Sequence, residues 1–302
     1  RIRAIMGPLR DAFSCWREYP DLLVDFYNES GGWPQDCLKL FFYQRIFLRA
    51  VMRHRHAYAT FPRAFSKSFL SVLILFLRCI LFPNSHLFVT TGGKEQAAGI
   101  LKEKIEELCR LIPGIKNEID WGRGQSHASK DDVSYIFKNG SKLDIVAASQ
   151  KSRGKRKTGG LIEEVILVDQ SLLNEVIIPT MSVDRRLPDG TRQEDETTNK
   201  SQIFVTTAGW KNSFAYDKLM MTLIEQVIDP NKSVVLGGTW RIPVMEKLIG
   251  KNFIQELKLD GTYNETSFLR EFKRFGLFKL LRIAGNPLEP DLQDWEIRSR
   301  AA

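Results

Sequence analysis

Two adjacent residues, Lys67 and Ser68, have the types and the setting that nucleotide phosphates require. They lie between a short β-prone run that ends at Phe61 and the apolar run 69–82. In such a strand–loop–helix unit, backbone N–H groups hold the phosphates, a lysine contacts the β and γ oxygens, and a hydroxyl binds Mg²⁺. Phe61 and Ser66 stand where the P-loop pattern has glycine. The same residues would also be compatible with an ordinary helix N-terminus that follows a turn at Pro62.

Carboxylates that hold a metal ion or accept a proton from water are expected at the end of a buried strand. Two positions compete for this role. Glu163 and Glu164 follow a short apolar stretch, whereas Asp169 follows the stronger apolar run 165–168 but is itself followed by the amide Gln170. An amide cannot accept a proton from water, so the second position predicts a weak or disabled enzyme. The residues alone leave both positions open.

Two further segments carry chemistry of a less specific kind. The basic loop 151–157 contains Arg153, which would stabilise charge on a transferring phosphoryl group if the loop reached a phosphate site. A solvated loop or a polyanion-binding patch has the same composition. Thr206 and Thr207 end the β-prone run 203–207. Their hydroxyls would either sense a γ-phosphate, or the two residues would simply mark the transition from a strand to a turn.

These residues need a scaffold in which strands alternate with helices. The spacing of apolar residues predicts helices over 38–54, 69–82, 94–111 and 213–227, and strands over 58–61, 86–91, 203–207 and 233–237. Asn139-Gly140 predicts a hairpin between 134–138 and 142–147. Residues 184–200 are polar and are predicted to form an exposed insertion. The alternation indicates an α/β fold with a mainly parallel sheet.

Composition excludes several classes of protein. The chain has 302 residues, 43% of them apolar, which is typical of a globular protein rather than a disordered or collagen-like one. Its four cysteines are widely spaced, so neither a disulfide scaffold nor a zinc site is expected. The run 69–82 is shorter than the ~20 residues that span a bilayer, and Arg78 interrupts it, so no membrane role is expected. The net charge of +8 suits a polyanionic partner.

In order along the chain, these motifs resemble the ATPase part of the large terminase subunit of tailed-phage DNA packaging motors. The resemblance covers residues 35–272. It rests on Gln44 in FFYQRIF, the loop 62–68, Arg153-Gly154-Lys155-Arg156, Glu163-Glu164, Thr206–Gly209, and the segments 172–181 and 267–272.

The resemblance implies a P-loop NTPase with a mainly parallel central sheet flanked by helices and a small N-terminal helical subdomain. The implied domains are a helical segment at 1–57, an ATPase core at 58–272 and a linker or tail at 273–302. It favours Glu164 as the catalytic base over Asp169. The other implied roles are an arginine finger reaching an adjacent subunit (Arg153), adenine recognition (Gln44), nucleotide contacts (Arg63, Ser66, Lys67, Ser68, Thr206, Thr207) and Mg²⁺ binding (Ser68, Glu163).

The implied activity is ATP hydrolysis that drives packaging of double-stranded viral DNA into a procapsid. ATP and Mg²⁺ are the expected ligands, and the expected partners are double-stranded DNA, a homo-oligomeric ring, the portal protein and the small terminase subunit. The expected location is the host cytoplasm, transiently at the procapsid. About 30 residues follow Glu271, too few for the family's nuclease domain, so DNA cleavage is not expected. The alternatives are a helicase-like, DNA-stimulated ATPase and a non-enzymatic DNA-binding protein with a degenerate P-loop.

Overall fold

A computed structural model describes residues 2–30, 37–122, 126–194, 196–207, 213–259 and Asn264. The strands are β1 His56–Thr60, β2 His86–Thr90, β3 His127–Ala128, β4 Val133–Ile136, β5 Lys142–Ile145, β6 Gly159–Glu163, β7 Ser201–Thr206 and β8 Ser233–Gly237. The helices are α1 Ile2–Glu18, α2 Pro20–Ser30, α3 Phe42–Arg53, α4 Lys67–Leu81, α5 Lys94–Leu111, α6 Phe214–Ile228, α7 Arg241–Met245 and α8 Lys251–Leu259. Between β6 and β7, residues 170–180 form an irregular helix with a π-helical turn at Leu173–Ile177.

The strands form one sheet in the order β3-β4-β5-β2-β6-β7-β1-β8. From β5 to β8 all neighbours are parallel, and β3 and β4 add an antiparallel edge. The central strands are buried along nearly their whole length, because helices cover both faces of a parallel sheet. The predicted α/β fold with a mainly parallel sheet is confirmed.

The two faces of the sheet have separate apolar cores. Alternate strand residues such as Ala59 and Val89 face helices α3, α4 and α5, whereas Tyr58 and Phe88 face α6 and the irregular helix. This alternation follows from the two-residue period of a strand. The N-terminal helices join the first core, since Leu23 packs in the same cluster as α4.

Helix α4 is the most buried helix of the described chain and begins at the loop predicted to bind phosphate. Its residues Phe69–Leu81 are all buried, as expected for a core helix. Arg78 is tolerated inside because its guanidinium donates hydrogen bonds to the Val51 carbonyl at 2.5 Å and to Ser201 Oγ at 2.8 Å. Within the part of the chain that the structure describes, no helix is long and apolar enough to cross a membrane.

Several local predictions are confirmed and two are corrected. The hairpin forms with Gly140 at φ +85°, and the helix predicted at 94–111 has those bounds. The helix predicted from residue 38 begins at Phe42 instead. The insertion 184–200 is not fully exposed, because Arg185 is buried and donates a hydrogen bond to the Pro83 carbonyl at 2.7 Å. Ala208, Gly209, the segment 267–272 and the predicted tail 273–302 lie outside the described residues.

Candidate active site

A cleft of about 990 Å³ lies at the carboxyl ends of the parallel strands. Its walls are the loop 62–69, the start of α3, one face of α5, and the chain that follows β6 and β7. In α/β sheets, ligands bind at this edge, where loops from several strands converge. The cleft is therefore the candidate site, and most of the predicted residues are at or near it.

The loop between β1 and α4 turns through two left-handed residues. Ala64 has φ +58° and Ser66 has φ +55°, and Lys67 is the first residue of α4. Non-glycine residues adopt this conformation at a cost, because their Cβ approaches the backbone. Ser66 thus occupies a glycine position of the P-loop pattern while adopting a conformation that favours glycine. The lysine and the helix N-terminus still reach the cleft.

Aromatic packing supports this loop where glycines are missing. The ring of Phe65 is buried and stacks on Phe61 with ring centroids 4.3 Å apart, and the Tyr43 ring centroid lies 4.4 Å from that of Phe65. Phe61 itself donates its backbone N–H to the Thr206 carbonyl at 3.1 Å. The loop is therefore fixed to α3 by packing and to the end of β7 by a backbone hydrogen bond.

Glu163 is the last residue of β6 and is 1% exposed. One carboxylate oxygen accepts a hydrogen bond from the Ser68 hydroxyl, and Oε2 has no hydrogen-bond partner among the described residues. Burial raises the pKa of Glu163 above its ordinary value, although the Ser68 hydrogen bond opposes the rise. A second negative charge, on Glu164, raises it further, and the charges of Lys67 and Lys104 lower it.

Glu164 connects the loop to the end of β7. It has φ +48°, and this turn directs its carboxylate toward the first residue of α4, where Oε1 lies 2.5 Å from Lys67 Nζ. The other oxygen, Oε2, accepts hydrogen bonds from Thr206 Oγ1 at 3.3 Å, from the Thr207 N–H at 3.3 Å and from Thr207 Oγ1 at 3.4 Å. One carboxylate therefore contacts both segments whose residues were predicted to face a γ-phosphate.

The competing acid, Asp169, has a different position. Strand β6 ends at Glu163, and Val165–Leu167 form a 3₁₀ turn rather than the strand that the apolar letters suggested. Asp169 is exposed and caps the irregular helix, accepting hydrogen bonds from the Leu172 N–H at 2.9 Å and from Ser171 Oγ at 2.5 Å. These hydrogen bonds lower the pKa of Asp169.

Gln44 and Arg63 also line the cleft. The Gln44 side chain is buried, accepts a hydrogen bond from the Phe41 N–H at 2.9 Å and donates one to the Tyr43 hydroxyl at 3.3 Å. Its carboxamide therefore closes the first turn of α3, and reading an adenine would require exchange of these partners. Arg63 is exposed in the loop.

Arg153 is not among the described residues that line the cleft. It lies in the loop between β5 and β6, where its guanidinium pairs with Glu175 at 3.1 Å on an exposed surface. The loop is anchored by Lys157, a buried residue whose Nζ lies 2.6 and 2.7 Å from the two carboxylate oxygens of Asp144. Within one chain, Arg153 therefore stays apart from the other predicted site residues.

Sequence reasoning missed the contribution of α5. Gln96, Lys104, Glu107 and Leu111 line the cleft from one face of this helix. Their spacing along the sequence places them on one face of a helix, but a polar helix face normally indicates contact with solvent rather than a binding site. Only the packing of α5 beside the cleft distinguishes these residues from other surface charges.

The residues present fit a magnesium ion. Mg²⁺ prefers oxygen ligands and is usually held by one or two protein groups together with phosphates and water. Ser68 and Glu163 supply such oxygens, and the unpartnered, buried Glu163 Oε2 would gain a partner. Within the described ranges, no group of three or more histidine, cysteine or acidic residues could hold a metal ion.

The fold is an α/β, P-loop NTPase-like one, with this cleft at the carboxyl ends of its parallel strands. The sequence matches no protein-family model, and it has no significant match among curated proteins. Among solved structures, the chain is similar to the large terminase ATPase domain of Thermus phage P74-26, with 16% identity and a TM-score of 0.52 over 78% of this chain and 92% of that one. It is also similar to the HK97 bacteriophage large terminase, with 13% identity and a TM-score of 0.59 over 79% of this chain.

This chain matches 52% of the HK97 protein's length, about half of it. At these identities the similarity concerns the fold. The predicted resemblance to a large terminase ATPase domain is confirmed at that level, whereas the roles of individual residues remain predictions.

Proposed function

We propose that this chain binds and hydrolyses ATP. The observation that carries the proposal is the 2.5 Å contact between Lys67 Nζ and Glu164 Oε1, beside the contact between Ser68 and Glu163. A lysine at a helix N-terminus, a hydroxyl next to it and two strand-end carboxylates are the groups that bind and hydrolyse a nucleoside triphosphate. Here they come from segments about a hundred residues apart and meet at one end of the sheet.

In this proposal Lys67 and the backbone N–H groups of the loop bind the β and γ phosphates. Ser68 and Glu163 would hold Mg²⁺, which neutralises charge on the phosphate oxygens when it is bound. Arg63 contacts the phosphates from the loop, and Gln44 reads the adenine through its amide. Ser66 contributes its backbone to the phosphate-binding turn.

Glu164 is the proposed general base. A triphosphate that attracts Lys67 would release Glu164 Oε1, which then accepts a proton as water attacks the γ-phosphorus. The bond from that phosphorus to the β–γ bridging oxygen breaks, and ADP and phosphate are formed. Thr206 and Thr207 hold the other carboxylate oxygen, so a change at Glu164 would be transmitted to the end of β7.

Arg153 is proposed to act on the nucleotide of a neighbouring subunit in a homo-oligomeric ring. Its exposure in a loop anchored at Lys157 supports this assignment, because an exposed, positioned guanidinium is available to a second chain. Hydrolysis would then require assembly. An isolated chain is expected to bind ATP and to turn it over slowly.

The work coupled to hydrolysis is proposed to be packaging of double-stranded viral DNA into a procapsid. The fold shared with two large terminases and the net charge of +8 support this proposal. Contacts from exposed basic loops to DNA phosphates would be independent of sequence and sensitive to salt. By the same resemblance, the portal protein and the small terminase subunit would be partners, and the chain would act in the host cytoplasm and at the procapsid.

Calorimetry of Mg²⁺-dependent ATP binding tests the central proposal. The parent chain should bind ATP, and Lys67→Ala should abolish binding. Lys94→Ala is a matched control, because Lys94 is also the first residue of a helix that follows a parallel strand, and it should bind normally. Binding by neither the parent chain nor the variants would contradict the proposal and favour a basic DNA-binding domain with a degenerate loop.

A further inference from the structure

Ser66 is the N-cap residue of α4, but its side chain does not cap the helix. An N-cap serine ordinarily has extended backbone angles, and its side-chain oxygen accepts a hydrogen bond from an N–H group of the first helical turn. Ser66 instead has φ +55° and ψ +27°, and its side chain makes no hydrogen bond of that kind. A residue suited to capping therefore stands here in a left-handed conformation, which is costly for an L-residue.

The partner of the Ser66 side chain is Tyr43, at the start of α3. The hydroxyl groups of these two residues share a hydrogen bond. The Tyr43 hydroxyl also accepts a hydrogen bond from Gln44 Nε2 at 3.3 Å, and the Tyr43 ring packs against that of Phe65, with ring centroids 4.4 Å apart. Ring packing and two hydrogen bonds thus fix Tyr43 beside the loop, and Tyr43 holds the serine hydroxyl away from the N–H groups of α4.

The two conformations open to Ser66 have opposite consequences for a phosphate. In the extended conformation, its oxygen would accept a hydrogen bond from an N–H group in the first turn of α4, and the backbone before Lys67 would turn differently. Phosphates bind to these same N–H groups at helix N-termini, because the groups have no partner within the helix. Left-handed Ser66, with its hydroxyl on Tyr43, leaves the N–H groups to a ligand in the cleft.

We propose that Tyr43 is a positioning residue, whose hydroxyl holds Ser66 in the left-handed conformation and so keeps the loop able to bind phosphate. This inference rests on the proposed function. A glycine at position 66 would adopt the conformation without such help. Serine needs a partner for its hydroxyl, which α3 supplies. In this role Tyr43 acts on the nucleotide through Ser66 and makes no contact with the phosphates itself.

Calorimetry with ATP and with inorganic tripolyphosphate, both with Mg²⁺, tests the proposal. Tripolyphosphate can contact the loop but has no base to reach Gln44. Tyr43→Phe keeps the ring and removes the hydroxyl, so both ligands should bind about fivefold more weakly. Tyr27→Phe is the matched control, with unchanged affinity expected. Tyr27 is also half-buried, and its hydroxyl donates at 2.7 Å to Glu118, which is not among the described residues that line the cleft.

Ser66→Gly provides the rescue that separates positioning from loss of structure. With glycine at position 66, adding Tyr43→Phe should change either affinity by less than about twofold, because the loop no longer needs the hydroxyl. A structural defect would instead lower the thermal unfolding midpoint and the affinity in both backgrounds. Equal losses in the two backgrounds, or unchanged tripolyphosphate binding by Tyr43→Phe, would overturn the assignment and leave the ATPase proposal intact. Failure of the parent chain to bind ATP would overturn both.

Discussion

Lys67 Nζ and Glu164 Oε1 lie 2.5 Å apart, although 97 positions separate the two residues in the sequence. One residue begins the helix after β1, and the other follows the end of β6. The contact unites the proposed phosphate-binding lysine with the proposed general base. In this arrangement each charge neutralises the other, so a ligand that attracts the lysine also changes the environment of the base.

Replacing Glu164 with glutamine should separate binding from hydrolysis. The amide has nearly the same shape but cannot accept a proton, so turnover should fall about 10²-fold or more while ATP binding persists. Steady-state phosphate release and calorimetry measure the two properties. Asp169→Asn is the matched control, because it alters the acid that caps the irregular helix, and it should keep its turnover. Normal turnover by Glu164→Gln would sink the assignment of the base.

Thr206→Val should lower kcat with little effect on KM. The substitution preserves the β-branched shape and removes the hydroxyl that donates to Glu164 Oε2 at 3.3 Å. Loss of this hydrogen bond to a charged group should reduce kcat about tenfold. Thr90→Val is the control, because Thr90 also lies at a buried strand end and its hydroxyl has no hydrogen-bond partner in the described chain. A parallel fall in both variants would indicate a general loss of packing.

Ser66→Gly should stabilise the chain. Ser66 has φ +55°, a region that costs an L-residue about 1 kcal/mol or more, and glycine removes that cost. We expect the free energy of unfolding in urea to rise by about 0.5–1 kcal/mol, less any entropy that glycine adds to the unfolded state. Ser149→Gly is the control, because Ser149 has φ −151° and gains nothing from glycine there. A loss of stability in Ser66→Gly would mean that the hydrogen bond between the side chains of Ser66 and Tyr43 outweighs the cost of the left-handed conformation.

Arg153→Ala and Glu164→Gln should complement each other if Arg153 acts across a subunit boundary. Each variant alone should be inactive in an assembled ring. A mixture should regain part of the activity, because an intact Arg153 from one chain can meet an intact Glu164 of another. ATP hydrolysis by mixtures in varied ratio measures this effect.

Glu175→Gln is the control for that experiment. It removes the partner of Arg153 seen at 3.1 Å without removing the arginine, so activity should persist. The pair is more than half exposed, so neither substitution should alter stability appreciably. Absence of complementation together with full activity of Arg153→Ala would exclude a catalytic role for this arginine.

The contribution of Glu163 to the stability of the metal-free chain should fall as pH rises above about 4.5. Burial is the main cause that raises the pKa of Glu163 above its ordinary value of 4.5, so the folded chain keeps this proton after the unfolded chain has lost it. The folded state binds more protons over that interval, and stability therefore decreases until the folded pKa is passed. In urea unfolding over a pH series with a chelator, Glu163→Gln should gain stability relative to the parent as pH rises through this interval.

Asp169 supplies a control of opposite sign. Its pKa is lowered mainly by the Ser171 hydrogen bond. The contribution of Asp169 to the stability of the folded chain is therefore present above the ordinary pKa of 3.8 and is lost as pH falls through the folded pKa. Asp169→Asn should therefore change the pH profile only on the acid side. Identical pH profiles for the parent and Glu163→Gln would mean that Glu163 ionises normally.

Local signals in the sequence determined the elements and the loop. The strand, loop and helix around Lys67, the hairpin at Asn139-Gly140 and helix α5 were all predictable, because hydrophobic period and turn chemistry act over a few neighbouring residues. The order of these elements along the chain was also enough to indicate a parallel α/β sheet.

Tertiary structure decided which residues meet. Strand β6 ends at Glu163 and the chain turns there, so the apolar residues 165–168 do not extend the strand. For this reason Glu164 faces Lys67, whereas Asp169 caps the irregular helix. Lys104 lies beside the cleft because α5 packs against α4, a contact that no local pattern encodes. The positions of these side chains depend on contacts between segments that are distant in sequence, so they are determined only when the whole sheet is assembled.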